Sequence, residues 1–221
     1  MKFLKQFIDE RKKNNVKKYW EKKTNPCKNT DKIFDALEVD YRDSMKKVLE
    51  FGCSWGGNLK YFMDKISKIN TVGVDINSDV LKLSKDYPNF TGIVGDENAL
   101  FRFADNEFDL AFTISVLDHI PFDYVVEGAI DQLLRVSRRV ILLEPFIEGV
   151  CGDVSSKTRD SVRPDLPKGY KKFALYSYLW DYDKILDKKS VDWQKKEMPL
   201  HQASLGPFYH LYVINSGKHE T

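Results

Sequence analysis

The stretch Val48-Leu49-Glu50-Phe51-Gly52-Cys53-Ser54-Trp55-Gly56-Gly57-Asn58 decides the fold. It opens as an apolar run of strand length, breaks into a glycine-rich turn and resumes as a helix. Glycines at 52 and 56 allow the backbone a tight turn and a close approach that a Cβ obstructs. A nucleoside ligand can then lie against amide donors at the helix entrance. Gly52, Ser54 and Gly57 also fit a degraded dinucleotide-binding fingerprint, so the turn alone leaves two cofactor classes open.

Outward from the turn, strands and helices alternate. Val48–Phe51, Thr71–Asp75, Thr91–Val94, Phe108–Ile114 and Arg139–Leu143 read as strands, with helices at Asn58–Ile66, Ser78–Lys85 and Tyr124–Val136. Short apolar strands alternating with helices imply a mostly parallel sheet covered on both faces, so the fold class is doubly wound α/β. Beyond Pro145 the alternation lapses into an irregular basic stretch, Ser155 to Lys172. An aromatic helix from Phe173 to Leu186 follows, and two strands, Val191–Glu197 and Phe208–Ile214, close the chain. Upstream, a helix is expected from Asp31 to Val39 with Thr30 as its cap.

Composition narrows the class. A chain of 221 residues with 42% apolar residues can bury one substantial core. Apolar runs reach only four residues, as in Val140–Leu143, which predicts no membrane span or signal-peptide core and a cytoplasmic protein. Cys27, Cys53 and Cys151 are odd in number and lack metal-site spacing, as expected of reduced thiols. A net charge of +2 gives no general attraction to nucleic acid. The average hides an asymmetry: residues 1–23 carry nine Lys or Arg against three Asp or Glu. Phe3, Leu4, Phe7, Ile8, Val16, Tyr19 and Trp20 recur at helical spacing there, so the segment reads as an amphipathic basic helix, with Asn14-Asn15 weakening its middle.

In an open parallel sheet, ligands bind beyond the carboxyl ends of the strands, near the point where strand order reverses. Three successive strands end in polar residues. Asp75 follows the second, where a carboxylate can accept ribose hydroxyls; Asp96, with Glu97, follows the third, where it or a neighbouring amide can fix an adenine edge; Thr113, Ser115 and Asp118-His119 follow the fourth. Each carboxylate alone would be an ordinary cap or turn residue, and it is their recurrence at consecutive strand ends that points to a site.

At these residues the sequence resembles the class I S-adenosylmethionine-dependent methyltransferases, in their small-molecule, type 11-like branch. Residues 46 to about 146 carry the resemblance, in VLEFGCSWGGN, VGVDIN, IVGDENAL, FDLAFTISVLDHIP and VILLEPF. It implies a seven-stranded Rossmann-like methyltransferase fold and S-adenosyl-L-methionine as cofactor. It also implies roles for Glu50, Gly52, Cys53 and Gly56 in the methionine-holding turn, Asp75 with Ile76 at ribose and adenine, Asp96 with Glu97 at adenine, and Ser115 beside the methionine. Ser54 departs from the family, which has glycine there. The organisation expected is a helical cap over residues 1–45, with Trp20 closing on the cofactor, and a methyltransferase domain over 46–221 in which 146–190 is the substrate lid. A nicotinamide-dependent oxidoreductase, the nearest rival, also needs an acid after strand two, but explains neither Gly95-Asp96 nor the strand-four segment. A Tyr-x-x-x-Lys pair of the kind short-chain dehydrogenases use does occur as Tyr61 and Lys65, but in the first crossover helix, where it cannot serve that role.

For the acceptor, His119 is the ring best placed to act as general base towards a hydroxyl, with Asp118 as the second candidate. Strand four ends in Ser-Val-Leu-Asp, unlike the Asn-Pro-Pro-Tyr turn of nucleic-acid and protein amino-methylating enzymes, so a small-molecule acceptor is expected and no nucleic acid. No metal is expected, since Asp118 and Glu144 are the only converging candidates. The basic stretch suggests an anionic acceptor, a sugar or surface-polysaccharide precursor, with Arg159 and Arg163 gripping phosphate or carboxylate and Tyr178 and Glu144 lining the pocket. A nucleic-acid methyltransferase and a cofactor-binding partner protein without turnover stand as the alternatives.

Overall fold

The computed structural model describes residues 2–21, 30–147, 149–154, 177–197 and 209–216. Its centre is a seven-stranded sheet of β1 (Lys47–Phe51), β2 (Asn70–Asp75), β3 (Phe90–Val94), β4 (Phe108–Ile114), β5 (Ser137–Pro145), β8 (Asp192–Glu197) and β9 (Tyr209–Asn215), in the order β3-β2-β1-β4-β5-β9-β8. The first five strands are parallel, and β9 inserts antiparallel to both β5 and β8. Val48, Leu49, Leu110 and Ala111 are fully buried, as continuous rather than alternating apolar runs require when both sheet faces are covered. The order reverses between β1 and β4, and their carboxyl ends define the crevice.

Helix α5 (Asp123–Val136) covers one face, burying Val126, Ala129, Ile130, Leu133 and Val136 at helical spacing. Each of these side chains except Ala129 contributes about 1.5–3 kcal/mol relative to exposure, and Ile130→Ala alone costs about 2–5 kcal/mol. The helix stops where Ser137 turns extended and its hydroxyl donates back to the Leu133 carbonyl at 2.7 Å. On the other face, α4 (Gly57–Lys65) buries Leu59 and Phe62 against Ile33 of α2 (Thr30–Asp35).

Three expected helices are corrected. The segment 78–85 forms two 3-10 turns, Ser78–Leu81 and Leu83–Lys85, because it is confined between the Asn77 cap, whose side chain accepts from the Asp79 amide, and Pro88. The helix at 31–39 is two, α2 and α3 (Val39–Ser44), and Thr30 lies in the first turn with its hydroxyl donating to Asn58 instead of capping. Of the aromatic helix at 173–186, residues 173–176 fall outside the described residues. Tyr178–Leu179 is instead a short strand, β7, paired with β6 (Gly152–Asp153), and α6 (Tyr182–Asp187) begins only after Asp181 accepts from the Lys184 amide at 3.0 Å. The N-terminal helix α1 (Lys2–Trp20) runs through Asn14-Asn15 without a break.

Candidate active site

The glycine turn leaves β1 through three left-handed residues: Gly52 at φ 78°, Ser54 at 53° and Gly56 at 92°. Left-handed backbone at position 54 explains why glycine suits it, and serine occupies it at a strain cost of about 1–2 kcal/mol. Gly52 is also required by space, since a Cβ there would lie 2.2 Å from a methyl of Val116, in the turn after β4. The turn is pinned to β2 by the Gly52 amide donating to the Val74 carbonyl at 2.7 Å and the Ser54 amide donating to the Asp75 carboxylate at 2.7 Å. Asp75 accepts from the Asn77 amide through its other oxygen, at 2.8 Å. Burial pushes the Asp75 carboxyl up, and these amides oppose it. Cys53 turns its sulfur into the core towards Gly73, where it also lies 3.7 Å from the Ser54 carbonyl.

Beneath the turn, Glu50 is buried and accepts from the Asn58 side-chain amide, which accepts in turn from Thr30. Its second oxygen, Oε2, is buried without a hydrogen-bond partner among the described residues, and burial lifts the carboxyl to about 8.

Past β3, Asp96 caps a 3-10 turn (Glu97–Arg102), accepting from the Asn98 amide at 3.1 Å and its side chain at 3.0 Å. Burial works against the Asp96 charge, but the Asn98 bonds together with Lys13 and Lys17 outweigh it and hold the carboxyl low. Those lysines belong to α1, which lies across this end of the sheet. Lys13 pairs with Glu97 and lies 3.9 Å from Asp96; Lys12 reaches Asp153 at 3.8 Å and sits 4.8 Å over the Tyr178 ring. Two turns on, the Trp20 ring rests on His119, centroids 4.0 Å apart and 36° between planes. The Trp20 Nε1 is buried without a hydrogen-bond partner among the described residues.

The ends of β4 and β5 form the other half. Ser115, left-handed at φ 53°, shares a 2.5 Å hydroxyl contact with Tyr209 of β9. A 3-10 turn (Leu117–His119) then carries Asp118, buried, with its carboxylate 3.6 Å from the His119 Nε2. Glu144, fully buried at the end of β5, accepts the Val116 amide. Trp180 fixes the same turn by donating to the Leu117 carbonyl at 3.0 Å.

Residues 49–140 match the methyltransferase domain family. They are a class I S-adenosylmethionine-dependent methyltransferase domain. The solved structures similar to the chain agree in fold. The N1-methyltransferase of 1,6-didemethyltoxoflavin from Burkholderia thailandensis, a complex with that compound and S-adenosylhomocysteine, shares 12% identity over 96% of this chain and 85% of its own, with a TM-score of 0.61. A protein of Pyrococcus horikoshii OT3 shares 20% identity over 90% and 98%, with a TM-score of 0.58. The methyltransferase domain of bacterial CtHen1 shares 17% over 85% and 97%, also at 0.58.

The toxoflavin methyltransferase holds S-adenosylhomocysteine, and the residues present here fit the corresponding cofactor, S-adenosylmethionine. The turn keeps a cradle that any Cβ at position 52 would fill, and Glu50 keeps a buried oxygen to spare. Glu50, Gly52, Cys53, Gly56, Asp75 and Ile76 gather around the turn; Asp96 and Glu97 gather under α1; Ser115, Asp118, His119, Glu144, Tyr178 and Trp20 gather at the β4–β5 end. Arg159 and Arg163 lie outside the described residues. Sequence reasoning missed four contributors: Val116, Lys13, Tyr209 and the Thr30–Asn58 pair that holds Glu50. Asn58 carried a signal, being a polar residue on the inward side of an otherwise apolar α4 face.

Proposed function

We propose that the methyltransferase domain transfers its methyl group to a hydroxyl of a small, anionic acceptor, with His119 as general base. When bound, S-adenosylmethionine supplies a methyl group already activated on a cationic sulfur, which leaves the chain to align the acceptor, exclude water and take up one proton. The observation that carries this reading is the placement of His119: its imidazole stands one turn past β4, between the Asp118 carboxylate at 3.6 Å and the Trp20 ring at 4.0 Å. Asp118 orients the ring and supports the imidazolium that forms when the acceptor oxygen gives up its proton. Trp20 screens the methyl-transfer position from water, and its π face suits a cationic sulfonium.

The anionic character of the acceptor rests on the Ser155–Lys172 stretch, with Arg159 and Arg163 as its grips, and suits a sugar or polysaccharide precursor bearing phosphate or carboxylate. Two measurements test the reading. A panel of sugar phosphates, sugar acids and phenols is assayed for S-adenosylhomocysteine release; His119→Asn lowers that release on the order of 10²–10⁴-fold while leaving S-adenosylhomocysteine affinity unchanged. With an acceptor in hand, replacing Arg159 and Arg163 by Gln raises its Michaelis constant and spares the cofactor. Unaltered release in His119→Asn removes the base, and unaltered kinetics in the arginine pair removes the anion.

A further inference from the structure

His119 stands on a turn whose backbone is tied down by its own bonds. The Val116 amide donates to Glu144 at 3.1 Å, the Leu117 carbonyl accepts from Trp180 at 3.0 Å, and the His119 amide donates to the Val116 carbonyl at 3.0 Å. These bonds place the Cα of residue 119. They leave the rotation of its imidazole to be set by what the ring touches, because the torsion between Cβ and a histidine ring is broad and roughly two-fold. One neighbour is Asp118, whose carboxylate oxygen lies 3.6 Å from Nε2. That is longer than the about 2.7–3.2 Å of a well-formed hydrogen bond, so the charge attracts the nitrogen without fixing the plane of the ring. A second neighbour, Trp20, meets the ring face to face: the centroids are 4.0 Å apart and the planes 36° from parallel. Most aromatic pairs sit at roughly 4.5–7 Å, so this is a close contact, and a flat indole there admits only rotations that keep the imidazole face towards it. The indole is itself held. Tyr19 meets it edge-on at 5.1 Å, Val16 is buried one turn earlier in α1, and Lys13, two turns earlier, pairs with Glu97.

We propose that Trp20 is a positioning residue that fixes the plane of the His119 imidazole, so that the base is set for proton uptake only while α1 lies on the sheet. Asp118 selects which nitrogen is answered by a charge, and Trp20 selects the plane in which the ring stands. This gives α1 a part in the chemistry beyond shielding the methyl group. A base held in line without the helix could act while the crevice stands open to water; one that needs the helix acts only when water is excluded. The catalytic meaning of the contact rests on the reading of His119 as base, but the orientation of the ring does not.

The orientation is read without any acceptor, by nitrogen NMR of the imidazoles in the full-length protein at about pH 9, above the ordinary imidazole range, His119 being identified by its loss in His119→Asn. In the parent, both ring nitrogens of His119 show the shifts of a single tautomer, with the proton on the nitrogen facing Asp118. In Trp20→Leu they move towards the average of two tautomers, and Trp20→Phe, which keeps a flat face, returns the single one. A His119 ring that already averages in the parent overturns the proposal, and this is read on the parent alone if the Leu variant does not fold. A single tautomer retained in Trp20→Leu overturns it equally. With an acceptor in hand, Trp20→Leu lowers kcat by as much as about 10²-fold at an unchanged Michaelis constant, and Trp20→Phe restores most of the loss. A fall in kcat with the tautomer intact would return Trp20 to screening water alone and sink the positioning role. Unaltered release in His119→Asn would strike the base and leave the orientation standing.

Discussion

The two halves of the crevice are built by different means. At β1 and β2 the site is made of backbone: left-handed residues at 52, 54 and 56, amide bonds from Gly52 and Ser54 into β2, and a Gly52–Val116 contact with no room for a methyl group. At β4, β5 and β9 it is made of side chains: Asp118, His119 and Glu144, with Tyr209 and Trp180 bracing them. Backbone geometry is indifferent to pH and intolerant of substitution, while a titratable cluster tolerates isosteric change and answers to pH. The first suits a cofactor that never varies. The second suits chemistry in which a proton must move.

The largest effect should come from forcing a side chain into the backbone half. Gly52→Ala adds a Cβ 2.2 Å from Val116 at a φ of 78°, costing about 2–5 kcal/mol and roughly 10 °C in melting temperature, with loss of S-adenosylhomocysteine binding by calorimetry. Adding Val116→Ala should return the part of the loss due to overlap and leave the part due to φ; no recovery would mean the collision is not with Val116. Next in size, if Asp75 holds the ribose hydroxyls, Asp75→Ala should weaken S-adenosylhomocysteine by about 1–3 kcal/mol, since those hydroxyls would lose their acceptor. Unchanged affinity would move the ribose elsewhere.

Each half holds one buried carboxyl that should reveal itself through pH: Glu50 beneath the turn and Glu144 at the end of β5. Glu144, like Glu50, holds its proton more tightly folded than unfolded, from an ordinary 4.5 up to about 8. Because the folded state binds more protons across that window, this stability is fully present below about 4.5, declines as pH rises and is exhausted above about 8. Glu144→Gln and Glu50→Gln cannot lose the proton, so each should flatten the melting-temperature profile by a few degrees over that window. Parallel profiles in parent and variants would show that neither carboxyl is held protonated. The smallest effect is expected at α1: Lys13→Ala breaks an ion pair with Glu97 that is part-exposed and should cost about 0.2–1 kcal/mol. It should also raise amide exchange over residues 17–21 measurably. Unaltered exchange there would mean that buried Val16 and Trp20, stacked on His119, hold the helix end without the ion pair.

How far the sequence reveals this depends on the range of the forces involved. The five parallel strands are legible within a residue or two, because apolar runs such as Val48–Phe51 and Phe108–Ile114 have one way to be buried. The acids at strand ends are legible because the fold brings all strand ends to one crevice. The segment 78–85 is not, since α and 3-10 backbone differ there by the space left under Gly92, where even a Cβ would meet the Val80 carbonyl at 2.3 Å. Nor is the meeting of Lys13 with Glu97, 84 positions apart, or of Ser115 with Tyr209, 94 apart: nothing in either local pattern marks its partner.

The fastening of α1 has a consequence of its own. Part of its hold on the crevice is ionic and open to solvent, Lys12 on Asp153 and Lys13 on Glu97, while Trp20 on His119 is aromatic. Dissolved salt screens the first kind of contact within about 10 Å at 0.1 M and leaves the second untouched. Where α1 covers the way to the crevice, ionic strength should therefore act as a throttle: S-adenosylmethionine should enter and its product depart faster in concentrated salt, each by a similar factor, with the equilibrium between them barely moved.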